Sequence, residues 1–359
     1  MPALSSQEFV PGFPVTLNPN AIEAKLAELW DVRGGQDEAG DGDGGVTRIT
    51  LGNLLWLGGP EQIPQVRDAF RQLVTEYPCR LFLLERHPQA DGIEARVNAY
   101  CFLTGGQRQV CCEEIHLRFN EDSARHLRGA VLPLFVSDVP TTLWTRGSGL
   151  GLQEDMLTSL RKSVDYLVRD SAHLPDPAAA LREMAECPKK SGSCPVVDLS
   201  WFRFEPLRQQ IAGAFDDPGV RANGCQKPRL HIRLAPSKKD PTSSLTVCAA
   251  LLAGWVASRL GWEWTGGAGF VSQANPVAFA IECDETAATE EGGFLELVLE
   301  VPGLGAVSFG KQHEQHLARP LSDAQAMGLA LTTRHRSGSF RDSAAVAWRI
   351  LRDRPKPGA

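Results

Sequence analysis

The sequence predicts two mixed α/β domains, each an open sheet flanked by helices, and three observations carry that expectation. Short apolar runs of strand length alternate with segments whose apolar residues recur at helical spacing. With 359 residues, 43% of them hydrophobic, the chain can bury more than one core. The polar, turn-forming stretch from Cys187 to Pro195 (CPKKSGSCP) interrupts the alternation and marks the expected boundary. The expected division is an extended arm over 1–19, an N-terminal domain over 20–187, a linker over 188–195 and a C-terminal domain over 196–352.

The arm is proline-bearing and poorly periodic. After it, Asn20 is placed to cap a helix whose stripe is Ile22, Leu26, Leu29 and Trp30. Residues 34–45 (GGQDEAGDGDGG) read as an acidic, glycine-rich linker. A calcium loop starting at Asp37 or Asp41 would find Arg48 or Gly52 at its twelfth position instead of a bidentate Glu. The pattern then gives a strand (Thr47 to Leu57), a helix (Glu61 to Thr75), a strand (Arg80 to Glu85) and extended runs at Glu94 to Leu103 and Val110 to Phe119. A helix at Ser123 to Leu132, a buried strand at Thr141 to Trp144, a helix at Gln153 to Lys162 and a strand at Asp165 to Val168 complete this half. The arrangement is Rossmann-like, but Gly58-Gly59-Pro60 stands where a dinucleotide fingerprint would follow the first strand, so no cofactor is expected.

The second half offers a helix at Leu207 to Phe215, a strand at Arg229 to Leu234 and an apolar helix at Leu245 to Leu260. That helix carries Thr246, Ser258 and Arg259 and is too short to span a bilayer, so it reads as a buried core helix. Extended runs follow at Pro276 to Cys283, Phe294 to Val301 and Gly305 to Lys311, partly antiparallel by expectation, and helices at Asp323 to Thr333 and Phe340 to Leu351 end the pattern.

Charge and cysteine usage narrow the function. A net charge of -6 argues against nucleic acid as a partner. The first twenty residues lack a basic and apolar signal pattern, which points to the cytoplasm. Nine cysteines at irregular spacings, without a C-x-x-C pair, are expected as reduced thiols. Cys187 and Cys194 flank Lys189 and Lys190 and form a candidate redox pair, since nearby ammonium groups lower thiol pKa values.

Candidate chemistry is sparse. Cys112-Glu113-Glu114-Ile115-His116 gathers a nucleophile, carboxylates and an imidazole, and in a strand Cys112, Glu114 and His116 share one face. Asp170-Ser171-Ala172-His173 is too local for a triad and reads as a strand-ending turn. His313 and His316 are three apart, one short of the H-E-x-x-H spacing, so no metal is expected. Trp144 with Arg146, and Trp201 with Arg203, pair the residue types enriched in binding hot spots. The alternative is that the indoles fill the core while the arginines cover it or pair with Asp138 and Asp198.

Several blocks, in order, resemble one family. They are Cys112 to Ile115, Pro133 to Pro140 (PLFVSDVP), Leu143 to Gly147 (LWTRG), Asp170-Ser171, Asp198 to Arg203 (DLSWFR) with Pro206-Leu207-Arg208, and Leu251 to Trp262 (LLAGWVASRLGW). Together they resemble the glucose-6-phosphate dehydrogenase assembly protein family, OpcA. The resemblance implies a non-catalytic partner and allosteric activator of glucose-6-phosphate dehydrogenase, controlling the oxidative pentose phosphate pathway. On that reading Trp144, Arg146, Trp201, Arg203 and Arg208 contribute to a partner-binding surface or to a domain seam, with Asp138 and Asp198 beside them. A stand-alone α/β enzyme acting on a sugar phosphate or nucleotide, and a metabolite- or redox-sensing module, are the other readings.

Overall fold

The computed structural model describes residues 8–10, 14–15, 17–34, 47–104, 108–146, 154–186, 194–222, 225–238, 244–267, 269–273, 275–289, 292–310, 316–333 and 338–353. The chain forms two compact units. The first comprises Met1–Arg169, Lys190–Val196 and Met327–Arg334, and the second Asp170–Lys189, Val197–Ala326 and His335–Ala359. The chain crosses between the two units several times. The reason is visible in the helix Pro177–Glu186, which packs on the last helix of the second unit.

The first unit runs β1 (Glu8–Val10), β2 (Pro14–Val15), α1 (Pro19–Gly34), β3 (Thr47–Arg48), β4 (Asn53–Gly58), α2 (Ile63–Glu76), β5 (Arg80–Arg86), β6 (Ile93–Thr104) and β7 (Arg108–Phe119). It continues with α3 (Leu127–Val131), β8 (Thr141–Arg146), α4 (Glu154–Arg161) and β9 (Tyr166–Asp170). The sheet order is β1-β6-β7-β5-β4-β8-β9, with β10 (Val196–Asp198) following β9. β4 lies parallel to β5 (Leu55 opposite Phe82) and to β8 (Trp56 opposite Trp144), and β5 lies parallel to β7 (Phe82 opposite Ile115). β6 and β7 form an antiparallel hairpin, and β1 and β2 pair antiparallel with β6.

The central strands are apolar almost throughout because helices cover both faces. On one face Ile22 and Leu26 of α1 and Leu127 and Val131 of α3 join Leu55, Phe82, Ile115 and Leu117 in one core. On the other, Phe70 of α2 meets Trp144 edge-on at 6.3 Å. The cap of α1 is Asn18 rather than the expected Asn20, since its Oδ1 accepts the amides of Asn20 at 2.9 Å and Ala21 at 3.4 Å. A Cβ on Gly58 would sit 2.0 Å from the Trp56 ring, so this glycine admits an indole where a phosphate loop would admit a pyrophosphate.

The second unit contains α5 (Pro177–Glu186), α6 (Leu199–Arg203), α7 (Glu205–Ala214), α8 (Pro218–Ala222), β11 (Arg229–Ala235) and α9 (Ser244–Leu260). Then come β12 (Glu263–Trp264), β13 (Phe270–Ser272), β14 (Asn275–Pro276), β15 (Ala278–Cys283), β16 (Gly293–Val301), β17 (Gly305–Gly310), α10 (Asp323–Thr333, whose later residues fall in the first unit) and α11 (Gly338–Asp353). Its mixed sheet has the order β15-β11-β16-β17, parallel between β11 and β15 and antiparallel elsewhere, and β12-β13-β14 form a small second sheet. Among the described residues no helix is long and apolar enough to cross a membrane. The apolar α9 is a core helix, with Val247, Ala249, Ala250, Ala253 and Ala257 fully buried. Gly254 lets α11 approach, for a Cβ there would lie 2.4 Å from the Ser343 carbonyl oxygen, and the Ser343 hydroxyl donates to the Leu251 carbonyl at 2.6 Å.

Two expectations about cysteines change. Cys101 and Cys111 stand directly opposite each other in the β6–β7 hairpin, with Cα atoms 4.1 Å apart, and form a disulfide where reduced thiols were expected. Of the proposed redox pair, Cys187 lies outside the described residues, and Cys194 packs partly buried against the core of the first unit. The acidic linker at 35–45 and His313 also lie outside the described residues.

Candidate functional site

β7 carries the densest polar cluster of the first unit, and strand alternation splits it between two faces. Glu113 turns toward α1 and accepts from Arg80 Nε at 2.7 Å, while Arg80 Nη1 donates to Glu23 at 2.6 Å and to the Leu134 carbonyl at 2.7 Å. Burial works against the Arg80 charge, but Glu113 and Glu23 outweigh it and raise its pKa. On the α2 face Glu114 accepts from Arg67 Nη2 at 2.9 Å, Asn98 Nδ2 at 2.7 Å and the Tyr100 hydroxyl. One turn of the pleat further, His116 Nε2 lies 2.7 Å from Glu85 Oε2. Cys112, buried beside Cys79, has its thiol pushed up to about 12, chiefly by burial. That is opposite to what a nucleophilic thiolate requires. The segment is therefore a set of buried ion pairs that fixes β7 between α1 and α2.

In the second unit a comparable node gathers residues far apart in sequence. Asp170, fully buried, receives a bidentate pair from Arg203, with Nη1 at 2.8 Å and Nη2 at 2.6 Å, and faces His173 Nδ1 at 2.9 Å. Arg203 also donates to Asp323 Oδ1 from Nε at 3.1 Å and Nη2 at 2.8 Å. Burial alone would raise the Asp170 carboxyl, but the Arg203 guanidinium outweighs it and holds it well below the usual range. Asp198, also fully buried, caps α6 by accepting the Ser200 amide at 2.7 Å and takes the Ser171 amide at 3.2 Å. Burial and the nearby Asp170 charge push it up to about 6. Among the described residues the Ser171 hydroxyl makes no hydrogen bond, and the His173 imidazole is turned to Asp170. The DSAH stretch is thus the strand-ending turn the sequence suggested and not a nucleophile–base pair.

Of the aromatic and arginine candidates, Trp144, Trp201 and Arg208 are buried. Trp144 is 1% exposed and Trp201 6%. The Arg208 guanidinium stacks 3.5 Å over the Trp201 ring, donates to the Trp201 carbonyl at 2.6 Å and pairs with Glu205. Burial lowers the Arg208 pKa to about 10. Arg203 pairs with Asp170 and Asp323, not with Asp198 as the sequence suggested. Arg146 is half-buried and Asp138 is exposed, the latter in the left-handed region at φ 61°. Asp323 went unnoticed in the sequence because 120 residues separate it from Arg203 and no motif surrounds it. Among the described residues no cluster of three His, Cys, Asp or Glu side chains is arranged to hold a metal.

Comparison with known proteins identifies the two halves in sequence. Residues 71–186 match the family model of the glucose-6-phosphate dehydrogenase subunit N-terminal domain, and residues 194–334 match that of the C-terminal domain. The chain belongs to the OpcA family. Curated OpcA relatives include the OxPP cycle protein OpcA of Synechocystis, 28% identical over 188 residues, covering 52% of this chain and 38% of that protein. The Synechococcus elongatus OpcA is 27% identical over 194 residues, covering 53% and 41%. The Nostoc punctiforme OpcA is 26% identical over 203 residues, covering 56% and 41%. The chain thus spans about two fifths of the length of the OpcA relatives it matches. A solved Escherichia coli trehalose-6-phosphate structure bound with UDP-2-fluoro glucose covers 66% of this chain and 65% of its own, at 10% identity and a TM-score of 0.23, too distant to inform the fold.

Proposed function

We propose that this chain binds glucose-6-phosphate dehydrogenase and favours its active assembled state without catalysing a reaction itself. The observation that carries this reading is the pair of consecutive matches to the two domains of a glucose-6-phosphate dehydrogenase subunit. The geometry is compatible with it. The Cys112 thiol is raised, the His173 imidazole near Ser171 is turned to Asp170, and the buried carboxylates are held by guanidinium groups and backbone amides. An effector of this kind works by binding the active state more tightly, and a tenfold shift in that equilibrium takes about 1.4 kcal/mol of differential affinity.

In this reading Trp144, Trp201, Arg203, Arg208 and Asp198 act from the interior, holding the backbone that the partner meets, while Arg146 and Asp138 reach solvent and contribute directly. The test is a titration of the dehydrogenase from the same organism with this purified protein, with activity and complex mass followed together. A saturable rise in activity with a heavier complex supports the proposal. No complex and no change in activity would sink it, and turnover of a sugar phosphate by this protein alone would favour the enzyme reading instead.

A further inference from the structure

Beside the first turns of α2, over the face of the sheet near the C-terminal ends of β5 and β7, the first unit holds a cavity of about 640 Å³. Open α/β sheets bind small ligands at this end of their strands, and the volume lies in the range of small-molecule sites. One wall is built by Pro60, Ile63 and Pro64, apolar residues at and just before the start of α2, with Arg67, which is held by Glu114, further along the helix. The opposite wall is the face of β6 and β7 that carries Glu94, Arg96, His116 and Arg118, with Glu85 of β5 between them.

The charges on that wall are unequally engaged. Arg118 donates to Glu94 at 2.8 Å and lies 3.7 Å from Glu85, which is also held by His116 at 2.7 Å. Arg96, directly opposite His116 in the hairpin, is exposed to the cavity side, and among the described residues no carboxylate pairs with it. The cavity therefore offers one uncommitted guanidinium, two carboxylates fixed in place with remaining acceptor capacity, and an apolar wall. A guanidinium suits an oxyanion, carboxylate oxygens accept from hydroxyls, and an apolar wall suits the C–H face of a sugar ring.

We propose that this cavity binds a phosphorylated sugar, with its phosphate on Arg96 and its hydroxyls on Glu85 and Glu94. The site is independent of the dehydrogenase-binding proposal. Binding is measured on the full chain alone, so its failure leaves that proposal standing, and the reverse holds too.

The experiment is isothermal titration of the purified full chain with glucose 6-phosphate, ribose 5-phosphate, inorganic phosphate and glucose. Saturable binding of a sugar phosphate is expected, at least about tenfold tighter than either phosphate or glucose, since both ends of the ligand are recognised. Arg96→Ala is expected to weaken it at least about tenfold with the melting temperature unchanged, because the side chain is exposed, and Arg96→Lys to restore part of the loss. No sugar phosphate binding to the wild type overturns the proposal. So does binding that Arg96→Ala leaves intact, or phosphate or glucose binding as tightly as the sugar phosphates.

Discussion

Replacing Arg203 by methionine tests whether the buried node of the second unit is a structural keystone. The side chain makes two hydrogen bonds to Asp170 and two to Asp323. Asp323 is 26% exposed and regains water when the guanidinium is removed, whereas Asp170 is 0% exposed and loses its bidentate guanidinium partner. Removing one partner of a buried ion pair costs about 3 to 5 kcal/mol because the other charge is left uncompensated. That is a large share of the roughly 5 to 15 kcal/mol that stabilises an ordinary domain. Urea unfolding followed by tryptophan fluorescence reads the loss, and hydrogen exchange over α6 and α7 localises it to the second unit. Adding Asp170→Asn to Arg203→Met should recover at least about 1 kcal/mol by removing the stranded charge. A loss below about 1 kcal/mol, the level of an exposed pair, would refute the reasoning.

Three further outcomes are expected. The Asp198 carboxyl is raised to about 6 in the folded protein, above the ordinary carboxylate value of about 3.9, so the folded state binds the extra proton. Its contribution to stability is therefore lost as pH rises between these values, by about 3 kcal/mol in all. Urea curves at pH 4.5 and 7.5 should show Asp198→Asn gaining about 2 kcal/mol relative to the wild type at the higher pH, and a constant difference would contradict the raised carboxyl. Gly254→Ala should destabilise the second unit by about 1 to 3 kcal/mol, because the new methyl meets the Ser343 carbonyl at 2.4 Å, and an unchanged melting temperature would show that α9 and α11 separate freely. Thiol titration of the unreduced, denatured protein should find at least two fewer thiols than the nine cysteines, and closing so short a segment should contribute about 2 to 3 kcal/mol that reductant removes.

The α/β character was legible because burial on both faces writes itself as continuous apolar runs. The strands Arg80–Arg86 and Gly293–Val301 and the helix Asp323–Thr333 all fall where the pattern placed them, within a few residues, while the run from Thr47 to Leu57 divides into the strands Thr47–Arg48 and Asn53–Gly58. The helix Pro177–Glu186 was not visible, since its apolar stripe of Ala180, Leu181 and Met184 is short. α6 was missed as well, because its five residues are too few for a helical period. The burial of Trp144, Trp201 and Arg208 was not legible for a different reason. Residue type cannot distinguish a hot spot from a core aromatic under a buried guanidinium, and only packing decides between them. Of the CEEIH segment, the shared face of Cys112, Glu114 and His116 was readable from strand alternation, but the partners Arg67, Arg80 and Glu85 come from other elements.

The two short strands of the N-terminal arm pair along the outer side of β6, at Glu8 to Val10 and at Pro14 and Val15. Without them β6 would be the last strand on that side, presenting an open row of amides and carbonyls to any extended segment that passed. The arm is thus a cover against unwanted strand addition, with proline at position 14 withholding one amide from the ladder it protects. Cutting it away would leave the fold of the unit in place and give the molecule an adhesive margin, detectable as concentration-dependent self-association.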